Sequence, residues 1–352
     1  MQKRLVKGNE AAVLGALMGG CTHFFGYPIT PASEIAHAAA YYFTKAGRTF
    51  LQAESEVSVI NMLYGASSAG ARVMSASSGP GIALMGEGLS YLAGSRLPCV
   101  LIDMQRAGPG LGNIWPEQSD YNMVVKGGGH GNYKNIVLSP DGAQEMFDFT
   151  RAAFSYADEY RMSVIILGDA YIGQIMEPVD IGSTVDHGKR KDWALYADEE
   201  SRENLITSIF MKPSSQGQHN RELQQTYRRV EKELVDWEEI ETEDASVIFI
   251  AYGIVSRICR SAVALLRKAG LRAGLLRLKT LFPFPSEAVL NHAKRKVTII
   301  VVELSNGQMC QDVRAAAQYS TRIIELLKMG GEIPSVEEVV SFTQKTVLRS
   351  AH

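Results

Sequence analysis

Short apolar runs alternate with helical patterns through most of this chain, and few folds tolerate that alternation. Runs at residues 72–76, 99–104, 135–138 and 163–167 are separated by helical stretches such as 143–157. Strands interleaved with helices in this way assemble a mostly parallel sheet covered on both faces, so the expected fold class is α/β. A polar stretch breaks the pattern over residues 181–244, with Asp186-His-Gly-Lys-Arg-Lys-Asp192 and a charged helix expected over 221–239; it reads as a linker or arm. Alternation resumes at Ala245 with VIFIAYG, a helix to Ala269, strands near 275–278 and 297–303 and a last helix over 335–348. The expected division is a first domain over 1–180, the arm over 181–244 and a smaller second α/β domain over 245–352.

At 352 residues, 46% hydrophobic, 21% charged and with a net charge of -2, the chain has room for two cores and no basic stripe for a nucleic acid. Its start, MQKRLVKGNEAAVLGALMGG, puts basic residues before an apolar stretch, but Asn9 and Glu10 interrupt it. That stretch reads as an amphipathic helix rather than a leader. No apolar run reaches the roughly twenty residues that span a bilayer, so no membrane contact and a cytoplasmic address are expected. Cys21, Cys99, Cys259 and Cys310 are scattered without a Cys-x-x-Cys pair. Buried free thiols in a reducing compartment are expected, with no iron–sulfur, zinc or other metal site on this chain.

The chemistry concentrates between Gly26 and Arg106. A Gly-Tyr-Pro-Ile-Thr-Pro turn over 26–31 joins an apolar run to the amphipathic stretch 32–45, with Pro31 near the first helical position. Thr30 is suited to cap that helix, or to help its N-terminal amides hold a carboxylate. A buried-looking strand over 49–52 follows, then a helix that opens with Glu56. Val57, Ile60, Leu63 and Tyr64 recur at helical spacing and predict one buried face, while Gly65, Ala66, Ala69 and Gly70 would admit a close neighbour. Glu56 alone would be explained as an acid complementing the helix dipole. Arg106 ends the apolar strand 99–104, and the carboxyl ends of parallel strands are where ligands bind, so Thr30 and Arg106 are expected to converge. By itself Arg106 reads equally well as a surface arginine before a loop. Ser78 and Gly79, in Ser78-Gly-Pro-Gly81, suit either close packing or the approach of a cofactor ring. Two glycine-rich stretches, 108–112 and 127–131, lack the Lys-Ser/Thr of a P-loop and read as flexible loops.

Glu56 stands nine residues before Gly65-x-x-x-Ala69-Gly70, and the chain also carries the 26–31 turn, SASSGPGIALMGEG over 75–88, and Gln105-Arg106 before Gly108-Pro109-Gly110. With these motifs the whole chain resembles the α subunit of the 2-oxoacid:ferredoxin oxidoreductases. The resemblance implies a thiamine-diphosphate-binding (pyrimidine) domain with a mostly parallel sheet, followed by a transketolase C-terminal-like domain. It implies that Glu56 activates the cofactor through N1′ of its aminopyrimidine, that Pro28, Ile29, Ser78 and Gly79 line the ring, and that Thr30 and Arg106 hold the substrate carboxylate. A planar guanidinium suits that last task, because it meets a carboxylate as a two-pronged donor and stays charged.

The reaction so implied is a CoA-dependent oxidative decarboxylation of a 2-oxoacid to an acyl-CoA and CO₂, with electrons passed to ferredoxin, as in anaerobic metabolism. Residues 107–125, AGPGLGNIWPEQSDYNMVV, contain no lysine, arginine or histidine. A second substrate carboxylate would find no cation there, which leaves Lys126, His130 or a partner chain as the other sources of charge. Gly-Pro-Gly-Leu-Gly also stands where 2-oxoglutarate types carry Gly-Pro-Ser-Thr-Gly. Both features resemble the branched-chain, 3-methyl-2-oxobutanoate type; 2-oxoglutarate, pyruvate and aryl acids are the alternatives. The Gly-Asp-Gly motif for Mg²⁺ and the diphosphate is absent, and Gly168-Asp169-Ala170 has no asparagine between it and Asn204, so Asp169 reads as an ordinary strand-end residue. The resemblance accordingly implies a hetero-oligomer: a β subunit with the diphosphate and Mg²⁺, a γ subunit, and an iron–sulfur subunit with 4Fe–4S clusters. A scaffolding subunit without chemistry and a stand-alone binding module for a nucleotide or small acid are the rival readings.

Overall fold

The computed structural model of the chain describes residues 3–348. Residues 1–2 and 349–352, the outer ends of the first and last expected segments, lie outside the described residues. The larger sheet has seven strands in the order Thr280–Phe282, Ile136–Leu138, Ser163–Asp169, Cys99–Gln105, Val73–Ser77, His23–Gly26 and Thr49–Gln52. Every neighbouring pair is parallel except the first, which is antiparallel. Cys99–Gln105 and Ser163–Asp169 are buried at every position, which is why both read as nearly unbroken apolar runs.

The second sheet has five strands in the order Ile323–Leu327, Thr298–Glu303, Val247–Ala251, Ala273–Leu278 and Trp237–Ile240, the last antiparallel to its neighbour. The α/β class with mostly parallel sheets is thus the observed one. Among the described residues no helix is long and apolar enough to cross a membrane.

Several local expectations give way. The charged helix spans Pro213–Glu233, and Trp237–Ile240 is instead the edge strand of the second sheet. Residues 3–7 form a strand, Lys3–Lys7, paired antiparallel with Met176–Asp180. The helix behind it, Gly8–Met18, is buried from Gly8 through Ala16 apart from Glu10, so its small residues serve packing on several sides rather than one apolar face. Thr49–Gln52 is an exposed edge strand, not a buried one, with only Phe50 turned partly inward against Phe24. All four cysteines are buried free thiols.

Side chains between the two sheets lock them together. Arg277, 2% exposed, donates to Glu145 of the helix Ala143–Tyr160 and to Glu238 of the edge strand, and pairs with Asp141. Gln118 bridges both ways: its amide nitrogen donates to Tyr252 O at 3.0 Å, and its side-chain oxygen accepts from Leu304 N at 3.0 Å. Asp169 is more than a strand end. Its Oδ1 accepts from the N–H groups of Tyr171 and Ile172, capping a short helix, while Oδ2 accepts from Ile254 N across the domain junction at 3.1 Å.

Candidate active site

Ser55 opens the helix Glu56–Ser68 by accepting a hydrogen bond from Ser58 N, which leaves Glu56 in the first turn. Glu56 is 5% exposed. The buried face of this helix runs through Val59, Ile60 and Leu63; Val57, expected on that face, is exposed. Of the small residues at its C-terminal end, Gly65 has nothing within 4 Å of a side chain built on it, whereas Gly70 does receive a neighbour: a Cβ there would lie 2.5 Å from Tyr196 Oη. A second close approach comes from the next helix, Gly79–Gly94, where a Cβ at Gly88 would lie 2.4 Å from Ile60.

The same helix turn holds the acids apart. A Cβ at Gly81 would fall 2.5 Å from Glu56 Oε1 and 2.1 Å from Ser77 Oγ, and one at Gly79 would fall 2.7 Å from Asp120 Oδ1. Glycine here is a requirement of space, because carboxyl groups flank a single turn on both sides. Ser78 precedes this helix but makes no side-chain cap; its hydroxyl, like those of Ser75 and Ser77, is buried with no partner.

Arg106 follows the last residue of Cys99–Gln105 and meets the turn at Thr30. Its Nη1 donates to Thr30 O at 2.8 Å and its Nη2 to Leu111 O at 3.2 Å, while its buried Nε–H has no acceptor. Thr30 is therefore held through its carbonyl. It does not cap the following helix, which begins at Ser33 after Ala32, with no side-chain cap bond, and Pro31 lies two residues ahead of it. Pro28 is exposed and Ile29 packs partly against the core.

A cavity of about 1110 Å³ opens beside this cluster, between the carboxyl end of the first sheet and the second domain. Gly79, Arg106, Leu111, Asp120 and Glu117 line one side, and Gln308 and Met329 the other. Glu56, Thr30 and Ser78 do not line it; Glu56 sits behind the first turn of Gly79–Gly94. Asp103, fully buried on the strand beside Ser77, has no hydrogen-bond partner at either oxygen. Burial holds its carboxyl well above the ordinary carboxylate range, with the neighbouring Asp120 adding to the effect. Asp120 is raised to about 7 by burial and by the charge of Glu117, against the opposing pull of Arg106.

Sequence reasoning missed Asp103, Glu117, Asp120 and the spacing role of Gly81. One signal was available for Asp103: it is the lone charge in the otherwise apolar CVLIDMQ. Glu117 and Asp120 carried none, because their burial depends on chain segments far away in sequence.

Residues 14–241 match the family model described as pyruvate flavodoxin/ferredoxin oxidoreductase, thiamine diP-binding, and residues 245–339 match pyruvate:ferredoxin oxidoreductase core domain II. The chain is 51% identical over 342 residues to ketoisovalerate oxidoreductase subunit VorB of Methanothermobacter marburgensis, covering 97% of each. It is 34% identical over 372 residues to 2-oxoglutarate synthase subunit KorA of Methanothermobacter thermautotrophicus, covering 98% of this chain and 99% of that one. Among solved structures it superposes, with a TM-score of 0.90 and 28% identity, on a chain of 2-oxoglutarate:ferredoxin oxidoreductase from Magnetococcus marinus with 2-oxoglutarate, coenzyme A and succinyl-CoA bound. That alignment covers 98% of this chain and 65% of the other.

Proposed function

The chain belongs to the 2-oxoacid:ferredoxin oxidoreductase family, and we propose that it holds the aminopyrimidine half of thiamine diphosphate in an enzyme that acts on 3-methyl-2-oxobutanoate, the acid also called ketoisovalerate. The reaction joins the acyl group of the acid to CoA, releases CO₂ and passes two electrons to ferredoxin. Partner subunits complete the enzyme: a β subunit for the diphosphate and Mg²⁺, a γ subunit, and an iron–sulfur subunit with 4Fe–4S clusters for the electrons.

The residues fit the pyrimidine. Glu56 offers a buried carboxylate at a helix turn where Gly81 has no side chain, and Ser77 and Ser78 hold hydroxyls with no partner among the described residues. Thiamine diphosphate, when bound, supplies the acidic carbon and the electron sink that decarboxylation requires. Glu56 accepts the hydrogen bond at N1′ and keeps a proton shared there; the scarcity of water around a 5% exposed carboxylate strengthens that bond. Arg106, fixed by the carbonyls of Thr30 and Leu111, keeps its remaining Nη hydrogens for the substrate carboxylate.

The cavity wall is the observation that carries the choice of acid. Among its lining residues Arg106 is the single Lys, Arg or His, and the other charged groups are Glu117 and Asp120. A second carboxylate on the substrate would be desolvated beside two acids, whereas a branched alkyl group meets Ala83, Leu111, Met123 and Met329. The 51% identity to a ketoisovalerate oxidoreductase subunit supports the same acid. The test is CoA-dependent reduction of a viologen dye by the anaerobically purified complex, offered 3-methyl-2-oxobutanoate, pyruvate, 2-oxoglutarate and an aryl glyoxylate in turn. Highest kcat/KM with the branched acid is expected; highest kcat/KM with 2-oxoglutarate would overturn the choice.

A further inference from the structure

The loop that carries Arg106's neighbours is held both by its own hydrogen bonds and by the second domain. Inside it, Ala107 N donates to Trp115 O at 2.9 Å and Asn113 N to Ala107 O at 3.0 Å. Trp115 N also donates to Asn113 Oδ1 at 2.9 Å and Arg106 Nη2 to Leu111 O at 3.2 Å, and ties to the second domain run through Asn113 and through Glu117, which is 3% exposed. Its Oε2 accepts from Gly108 N at 2.8 Å, and its Oε1 accepts from Gly330 N, also at 2.8 Å, 213 residues later. Asn113 closes the same contact from the other side, donating from Nδ2 to Gly330 O at 3.0 Å. Gly331 lies so close that a Cβ there would stand 2.5 Å from Trp115 Cβ. The turn following Ile323–Leu327 is thus pinned to the loop by a buried carboxylate that satisfies one N–H on each, and its side chain Met329, 55% exposed, stands in the cavity that Arg106 lines.

We propose that the Met329–Gly331 turn is the second domain's contribution to acid selection, with Met329 forming part of the wall against the substrate side chain and Glu117 acting as the positioning residue that locks turn to loop. The proposal rests on the cavity being the acid site. A backbone turn gripped by both oxygens of one carboxylate has a fixed distance from the loop, so the depth available to the acid's side chain is set by the second domain as well as by residues 107–116. Selectivity then depends on a residue far from the motifs of the first domain, and changing that one side chain should change which acid is accepted.

The experiment uses the whole complex. Met329→Lys places a cation where a distal carboxylate would lie, and the ratio of kcat/KM for 2-oxoglutarate over 3-methyl-2-oxobutanoate is expected to rise by about tenfold or more. Glu117→Gln should raise KM for the branched acid several-fold with kcat nearly unchanged, and should speed proteolytic cleavage within 107–116 in the absence of substrate. A merely structural role for Glu117 would lower the yield of folded complex without a change in KM. Wild-type turnover of the branched acid together with an unmoved selectivity ratio in Met329→Lys overturns the proposal alone. Failure of the wild-type complex with every 2-oxoacid overturns the functional reading, and the proposal falls with it.

Discussion

Both sheets bury a carboxyl group near the carboxyl end of an inner strand, Asp103 in the first and Glu303 in the second, and the chain treats the two in opposite ways. Glu303 is fully used by the fold: Oε2 accepts from Ser305 Oγ at 3.0 Å and Met309 N at 2.9 Å, and Oε1 accepts from Cys310 N at 3.1 Å. The helix Gln308–Ala316, whose N-terminus would otherwise attract an anion, is closed by its own chain. At the first sheet the counterpart is left open. Among the described residues Asp103 has no donor, Ser75, Ser77 and Ser78 have no partners, and the helix Gly79–Gly94 has no side-chain cap. Each buried polar group left unpaired costs about 1–3 kcal/mol, so the first domain keeps hydrogen-bonding capacity that the second has spent on rigidity. On the proposed function, chemistry belongs at the open end and positioning at the closed one.

The sharpest way to break this contrast is at Glu56. Glu56→Gln should lower kcat by about 10²–10⁴-fold, measured by acid-dependent dye reduction in the reconstituted complex, with the assembly intact; unchanged activity would make the subunit a scaffold. At the closed end the effect should be on folding. Glu303→Ala strands three donors and should cost about 3 kcal/mol in urea unfolding, with activity per folded complex retained. Arg106→Lys keeps the charge but loses the fork, so kcat/KM should fall by about tenfold through KM.

The pH dependence follows from the open end. Asp120 titrates at about 7 in the folded chain against an ordinary 3.8, so the folded state binds more protons over that interval and its stability falls as pH rises. Asp120→Asn should flatten that slope in denaturation curves collected across the interval. The smallest effect is expected at Asp103, whose carboxyl has no donor among the described residues and is held by burial well above the ordinary carboxylate range: Asp103→Asn should change stability by about 0.5 kcal/mol or less, whereas a loss as large as that of Glu303→Ala would erase the distinction between the two ends.

Most strands of both sheets were legible, because a strand covered on both faces must be apolar along its length and says so locally. Among the elements that escaped, Ile323–Leu327 pairs with the preceding strand Thr298–Glu303, but others have remote partners. Thr280–Phe282 leaves its own neighbourhood to pair with Ile136–Leu138 in the other sheet, and Trp237–Ile240 pairs with Ala273–Leu278 beyond an intervening helix. Thr49–Gln52 was readable as a strand but not as an edge, since exposure depends on whether another strand arrives beside it.

The sequence by itself determined the α/β alternation, the turn at 26–31, the placing of Glu56 in a helix's first turn and of Arg106 at a strand's end, because short-range periodicity and motif spacing encode each of these. Only the tertiary structure decided that Thr30 meets Arg106 through its carbonyl, that Gly79 and Gly81 keep two acids on either side of one helix turn, and that Glu117 ties residue 108 to residue 330. These are matters of distance between segments far apart along the chain, and close packing, rather than local propensity, sets such distances.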